Sequence, residues 1–160
     1  MLVLAVAVLG MLGVQLRTLA ETQTGVRRAQ AVRFIEDLAE RIKTNPDGFA
    51  RLGAFQSGWD DVPSGADCKT TTCDAAALAR WDIQEWKSAL SASLPNAKAS
   101  VFLSPDEAAS NRRQLGVMVG WRASERAVET RYVAPFAPDT HAANIECPPD
   151  LICHLTYVQP

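Results

Sequence analysis

The chain has 160 residues, with 16 Lys and Arg against 18 Asp and Glu for a formal charge of −2. That is the scale of one modest domain and too near neutrality to attract nucleic acid by charge alone. Its two histidines, His141 and His154, come late, and no G-x-S-x-G elbow, G-x-x-x-x-G-K loop or EF-hand spacing is present, so hydrolase, phosphate-loop and calcium-loop readings lose their basis.

The first element is a helix. Met1 to Leu16 carries no charge, and it is a little short of the roughly 20 residues a straight helix needs to cross a bilayer. Leu2, Val3, Leu4, Val6, Val8, Leu9, Met11, Leu12, Val14 and Leu16 leave no polar face, which suits lipid or a large protein interior. A chain of this size supplies little interior. A secretory signal fits poorly, because no Lys or Arg precedes the apolar run and no A-x-A site is easily placed before the helix pattern continues. From Gly25 the pattern turns amphipathic: Val32, Ile35, Leu38, Ala39 and Ile42 share one face, and Arg28, Arg33, Asp37, Glu40, Arg41 and Lys43 hold the others. Arg33 with Asp37, and Asp37 with Arg41, stand at i,i+4 spacing. Asn45-Pro46-Asp47-Gly48 stops the helix. Residues 1–24 are thus read as its membrane part, and residues 25–160 as a globular domain that includes its second half.

Next come residues 46–73, a long loop whose Phe49, Leu52, Phe55 and Trp59 are expected to anchor on the helix. It contains Cys68 and Cys73, and the other two cysteines, Cys147 and Cys153, form a second close pair near the end of the chain. An even count in two close pairs fits small disulfide-closed loops in an oxidising compartment. The two local pairings are favoured over a linkage between the regions, although spacing alone leaves all three connectivities open. Zinc is the weaker reading: no C-x₂-C knuckle occurs, and only His154 adjoins a cysteine. Arg17, Arg27 and Arg28 oppose the disulfide reading, since the positive-inside rule would hold that side in the cytoplasm. A basic leader upstream of Met1 would remove the conflict.

Asp74 then offers an N-cap to a helix with Leu78, Trp81, Ile83, Trp86, Leu90 and Leu94 at mostly helical intervals before Pro95. Beyond it, KASVFLS, QLGVMVGWR, AVETRYV and ICHLTYV read as strands, parted by turn-rich segments. Helices first and strands after give an α+β fold with an antiparallel sheet of about four strands and a short second helix. Asp60 with Asp61, and Asp106 with Glu107, read as solvated loops, and the four tryptophans as core filling.

Four features occur together in this order: an apolar helix passing unbroken into an amphipathic half, the turn Lys43-Thr44-Asn45-Pro46-Asp47-Gly48, the helix pattern Asp82, Trp86, Lys87, Leu90 after a cysteine, and the strand pattern Val117, Val119, Trp121. In this the chain resembles the minor type IV pilins of the PilV type, the type IV pilus modification proteins, over nearly its whole length. The resemblance implies a structural, non-catalytic subunit without a cofactor. It would wait in the bacterial inner membrane with a periplasmic domain, in contact with membrane lipid, and assembly machinery would move its helix into a bundle with other minor and major pilins. It implies a role in pilus assembly or priming and, through it, in adhesion and twitching motility, with no nucleic-acid partner. It also implies a leader cut by a prepilin peptidase and an early glutamate in the mature helix. Neither is present here, with no acidic residue between Met1 and Ala20 and no G-F-x-x-x-E motif, so those residues are not carried over and Met1 is read as an internal methionine. A minor pseudopilin of a type II secretion system and a membrane-tethered periplasmic ligand-binding module are the alternatives.

Overall fold

The computed structural model describes residues 2–109, 111–122 and 145–160. In chain order they form α1 (Leu2–Thr44), a 3-10 turn (Leu52–Phe55), α2 (Ala75–Ser93) and the strands β1 (Lys98–Leu103), β2 (Leu115–Trp121) and β3 (Ile152–Val158). The fold is α+β. Among the described residues the sheet has three strands in the order β1-β2-β3, antiparallel throughout. The fourth strand candidate, AVETRYV, falls at 127–133, outside the described residues.

The length of α1, 43 residues, corresponds to about 64 Å at 1.5 Å per residue. Its packed face is Ala31, Ile35, Leu38 and Ile42, all buried, at the four-three-four spacing that keeps side chains on one side of a helix. Val32 stands half-buried at the edge of that face. Asn45 closes the helix from both directions. Its N–H donates to the carbonyls of Arg41 (3.1 Å) and Ile42 (3.3 Å), its Oδ1 accepts from the Asp47 N–H at 3.1 Å, and its Nδ2 donates to the Ala75 carbonyl at 2.9 Å. One buried amide therefore ties the end of α1 to the start of α2. Gly48 is required by space: a Cβ there would collide with the Ile42 carbonyl oxygen.

Asp74 caps α2, its Oδ1 accepting from the Ala77 N–H at 2.7 Å. Ala79, Ile83, Trp86 and Leu90 form the buried stripe of α2, and the Trp86 indole N–H donates to the Phe34 carbonyl of α1 at 2.7 Å. With Leu52 and Phe55 these residues meet the inner sheet face, which carries Ala99, Val101, Leu115, Val117, Val119, Trp121 and Val158. This is the main core. The loop anchors divide differently from expectation. Leu52 and Phe55 are buried, but Phe49 is 54% exposed, because it follows directly on Gly48, whose backbone is pinned against the end of α1. Trp59 packs on the opposite side of the sheet instead of on the helix.

That outer face has its own cluster, Phe102, Met118, Leu151 and Cys153, with Trp59, Ile145, Cys147 and Leu155 against it. All seven β2 residues are buried as a result. Gly116 makes the packing possible, since a Cβ there would collide with the Phe102 ring, which lies across the strand and meets Tyr157 edge-on at 6.2 Å between centroids.

Candidate assembly surface

Below the domain, α1 leaves several of its apolar side chains exposed among the described residues. Met11, Leu12, Val14, Leu19 and Val26 are between 49% and 71% exposed. Arg27 reaches the domain, its guanidinium donating to the Arg122 carbonyl at 3.2 Å. Of the apolar residues singled out in the first part of the helix, Leu12 and Val14 are described and exposed; the side chains of Leu2, Leu4, Val6, Val8, Leu9 and Leu16 lie outside those described. Among the described residues no helix is long and apolar enough to cross a membrane. The hydroxyls of Thr18 and Thr22 fold back onto the carbonyls of Val14 (3.0 Å) and Thr18 (2.8 Å). This local bonding lowers the polarity of the surface between the apolar part and the domain.

The domain half of α1 carries charge outward. Asp37 pairs with Arg41 at 2.9 Å and Glu40 with Lys43 at 2.9 Å. Arg41 also reaches the buried Asp82 of α2 at 3.5 Å, which draws it toward Asp37 and Asp82 together and leaves Arg33 outside the network. Burial raises the Asp82 pKa above its ordinary value, against the opposing pull of Arg41.

The disulfides are local. Cys68 is bonded to Cys73 and Cys147 to Cys153. The first closes an exposed loop held to α2 by Lys69, whose ammonium pairs with Glu85 at 2.9 Å and lies 5.4 Å from the centre of the Trp81 ring. The second joins β3 to the segment that covers the outer sheet face.

A polar strap at the β1 edge was hidden in the sequence. Ser57 and Val101 exchange backbone hydrogen bonds of 2.9 and 2.8 Å. Lys87, only 8% exposed, donates from Nζ to the carbonyls of Gly58 and Asp61, the latter at 2.7 Å. Burial lowers its pKa to about 8, although Asp61 and Asp60 pull the other way. Lys98 pairs with Asp60 at 2.6 Å from the outer side. The one available signal was Lys87 itself, a lysine beside Trp86 on the buried stripe of a helix.

The candidates for chemistry stand apart. Asp61 is engaged with the Gly58 N–H, and Glu107 accepts from the N–H groups of Arg113 and Gln114 to close the β1–β2 loop. His154 is half-buried, its Nε2 3.3 Å from the Thr156 hydroxyl, and burial followed by the nearby Arg28 lowers its pKa. His141 lies outside the described residues. Among the described residues no three His, Cys, Asp or Glu gather closely enough to hold a metal ion.

Comparison with known proteins gives a family match. A family described as Tt1218-like, type IV pilin Tt1218, matches residues 13–84, which takes in α1 from Gly13, the 3-10 turn and the first half of α2. The match covers 72 of the 160 residues and is a similarity to a type IV pilin family. The α+β architecture is consistent with a pilin-like fold. No curated protein and no solved structure matches the chain.

Proposed function

We propose that this chain is a minor type IV pilin of the PilV type, a structural subunit that takes part in assembling or priming the pilus and so serves adhesion and twitching motility. The observation that carries this reading is the asymmetry of α1: one continuous helix, packed on its domain from Ala31 to Ile42, carries exposed Met11, Leu12, Val14, Leu19 and Val26 beyond it. Exposed apolar side chains suit lipid before assembly and neighbouring helices after it, because helix packing replaces contact with acyl chains. Residues 1–24 then belong to the membrane and the filament interior, and residues 25–160 to a periplasmic domain. Its inner-membrane partners would be the pilus assembly machinery, and a prepilin peptidase would act on any leader. Two disulfides fit the oxidising side of that membrane.

The test is fractionation of native cells into inner membranes and sheared surface filaments, with the chain detected in each, beside a deletion strain. Recovery in filaments, with fewer pili and reduced twitching in the deletion, is the expected result. Retention in membranes alone, with pilus number unchanged in the deletion, would reject the pilin reading in favour of a tethered module.

A further inference from the structure

The strap touches the edge of β1 at one place, the bridge between Ser57 and Val101. Just beyond it, the Gly58 and Asp61 carbonyls are held by Lys87 of α2. A cleft of about 370 Å³ lies between strap, α2 and β1, a volume within the range of small-molecule sites. Trp59 and Val62 of the strap give it an apolar wall, Gln84, Lys87 and Ser88 of α2 a polar one, and Lys98 stands at the start of β1. A second cleft is also lined by Trp59. Charge is sorted between the two: the first is lined by two lysines and no acid, the second by Asp61 and Glu146 and no base.

We propose that the lysine-lined cleft binds a sugar ring that carries a carboxylate, a uronate, with its anion on Lys87 and Lys98 and one ring face on Trp59. The inference goes beyond the pilin reading and does not depend on it. Lys87 carries the argument. Its ammonium has three N–H groups and donates to two neutral carbonyls, which leaves its charge without a carboxylate in direct contact. The charged groups around it are Asp60 and Asp61 of the strap and Lys98 of β1. Asp61 turns its carboxylate to the Gly58 N–H and lines the other cleft. Asp60 pairs with Lys98 at 2.6 Å, but its side chain is 78% exposed, and a surface pair of this kind opens easily. A ligand carboxylate takes the place of Asp60 at Lys98 and supplies the anion that Lys87 lacks, through charge-assisted hydrogen bonds, which are the stronger ones. No acid stands in the lining to hold a cation. The remaining walls select the body of the ligand. Trp59 and Val62 offer apolar surface to the C–H face of a ring, and the exposed Ser88 offers a hydroxyl to its polar edge. Gln84 Oε1 is buried without a hydrogen-bond partner among the described residues; rotation about the last torsion of that side chain, which is broad, lets it accept from a ligand hydroxyl.

The experiment titrates the full chain, purified in a nonionic detergent without a sugar headgroup, with glucuronate, glucose and benzoate, read by ligand-observed NMR. Glucuronate is expected to bind at least about tenfold more tightly than glucose, which lacks the anion, and than benzoate, which lacks the hydroxyls. Ser88→Glu sets an acid into the lining at an exposed helix position and should weaken glucuronate about tenfold, whereas Ser88→Lys, as compatible with the helix, should bind it as tightly as wild type or more so. Affinity should also fall about tenfold from about pH 7 to about pH 9.5, as Lys87 loses its proton through a pKa of about 8 while the ligand carboxylate stays ionised. Failure of glucuronate to bind, equal binding of glucose or of benzoate, equal affinity in Ser88→Glu and Ser88→Lys, or an affinity that does not change with pH would each overturn the proposal. These readings come from the purified chain, so they stand apart from filament incorporation, which decides the pilin reading.

Discussion

The two halves of α1 are one helix under two sets of forces. From Ala31 to Ile42 each inward residue is buried against α2 and the sheet, and hydrophobic burial of this kind is what holds most protein helices in place. Between Gly10 and Val26, Met11, Leu12, Val14, Leu19 and Val26 face outward and the local sequence includes Gly10, Gly13, Thr18, Thr22 and Gly25, all poor helix formers. Packing supports one half. The other leaves Met11, Leu12, Val14, Leu19 and Val26 exposed, so its stability depends on what covers them. A mutation in the first half should register as folding energy, and one in the second as loss of association.

The largest effect is expected where the packed half ends. Gly48→Val puts a side chain into the Ile42 carbonyl and should cost about 4 kcal/mol or prevent folding, a loss of the size reserved for special backbone sites; thermal unfolding of the purified protein measures it. The comparison is sharpest between Ile35→Ala and Leu19→Ala. The first empties a buried site and should destabilise by about 3 kcal/mol in denaturant titration. The second should fall within about 0.5 kcal/mol by the same measurement while reducing recovery in filaments.

Lys87 gives a pH test confined to the domain. Its pKa is lowered from 10.5 to about 8 because burial penalises the ammonium. Between those values the folded state binds fewer protons than the unfolded one, so stability attributable to this group rises with pH, by at most about 3 kcal/mol. Wild type should therefore gain stability relative to Lys87→Met from pH 8 to pH 10.5 in paired chemical unfolding curves; a gap that stays constant or shrinks would contradict the lowered pKa. The smallest change is Asp74→Ala, which removes the bond to the Ala77 N–H and should cost about 1 kcal/mol, with little effect beyond the first turn of α2 in amide exchange.

How far the sequence could be read follows the same division. Ile35, Leu38 and Ile42 were visible from periodicity because a helix repeats its burial every turn, and Asp74 was visible because its cap is made within three residues. Features built from distant segments left no such mark. Trp59 was assigned to the helix and lies on the outer sheet face, where the strap round β1 carries it. Arg33 was paired with Asp37 on spacing, but Asp82, 41 residues along from Arg41, recruits Arg41 and takes Asp37 with it. Phe49 looked like an anchor by composition, and the collision that Gly48 avoids turns it outward. Local rules reached the elements, and their mutual approach decided the rest.

The crossing of Phe102 over Gly116 bears on which relatives of this sequence can exist. Neither position is free to vary alone: a side chain at 116 has no room while the ring is there, and a smaller residue at 102 opens a hole over buried Met118. The two are expected to change together through evolution, a larger residue at 116 arriving with a smaller one at 102. Gly116→Ala should accordingly be tolerated better beside Phe102→Val than on its own.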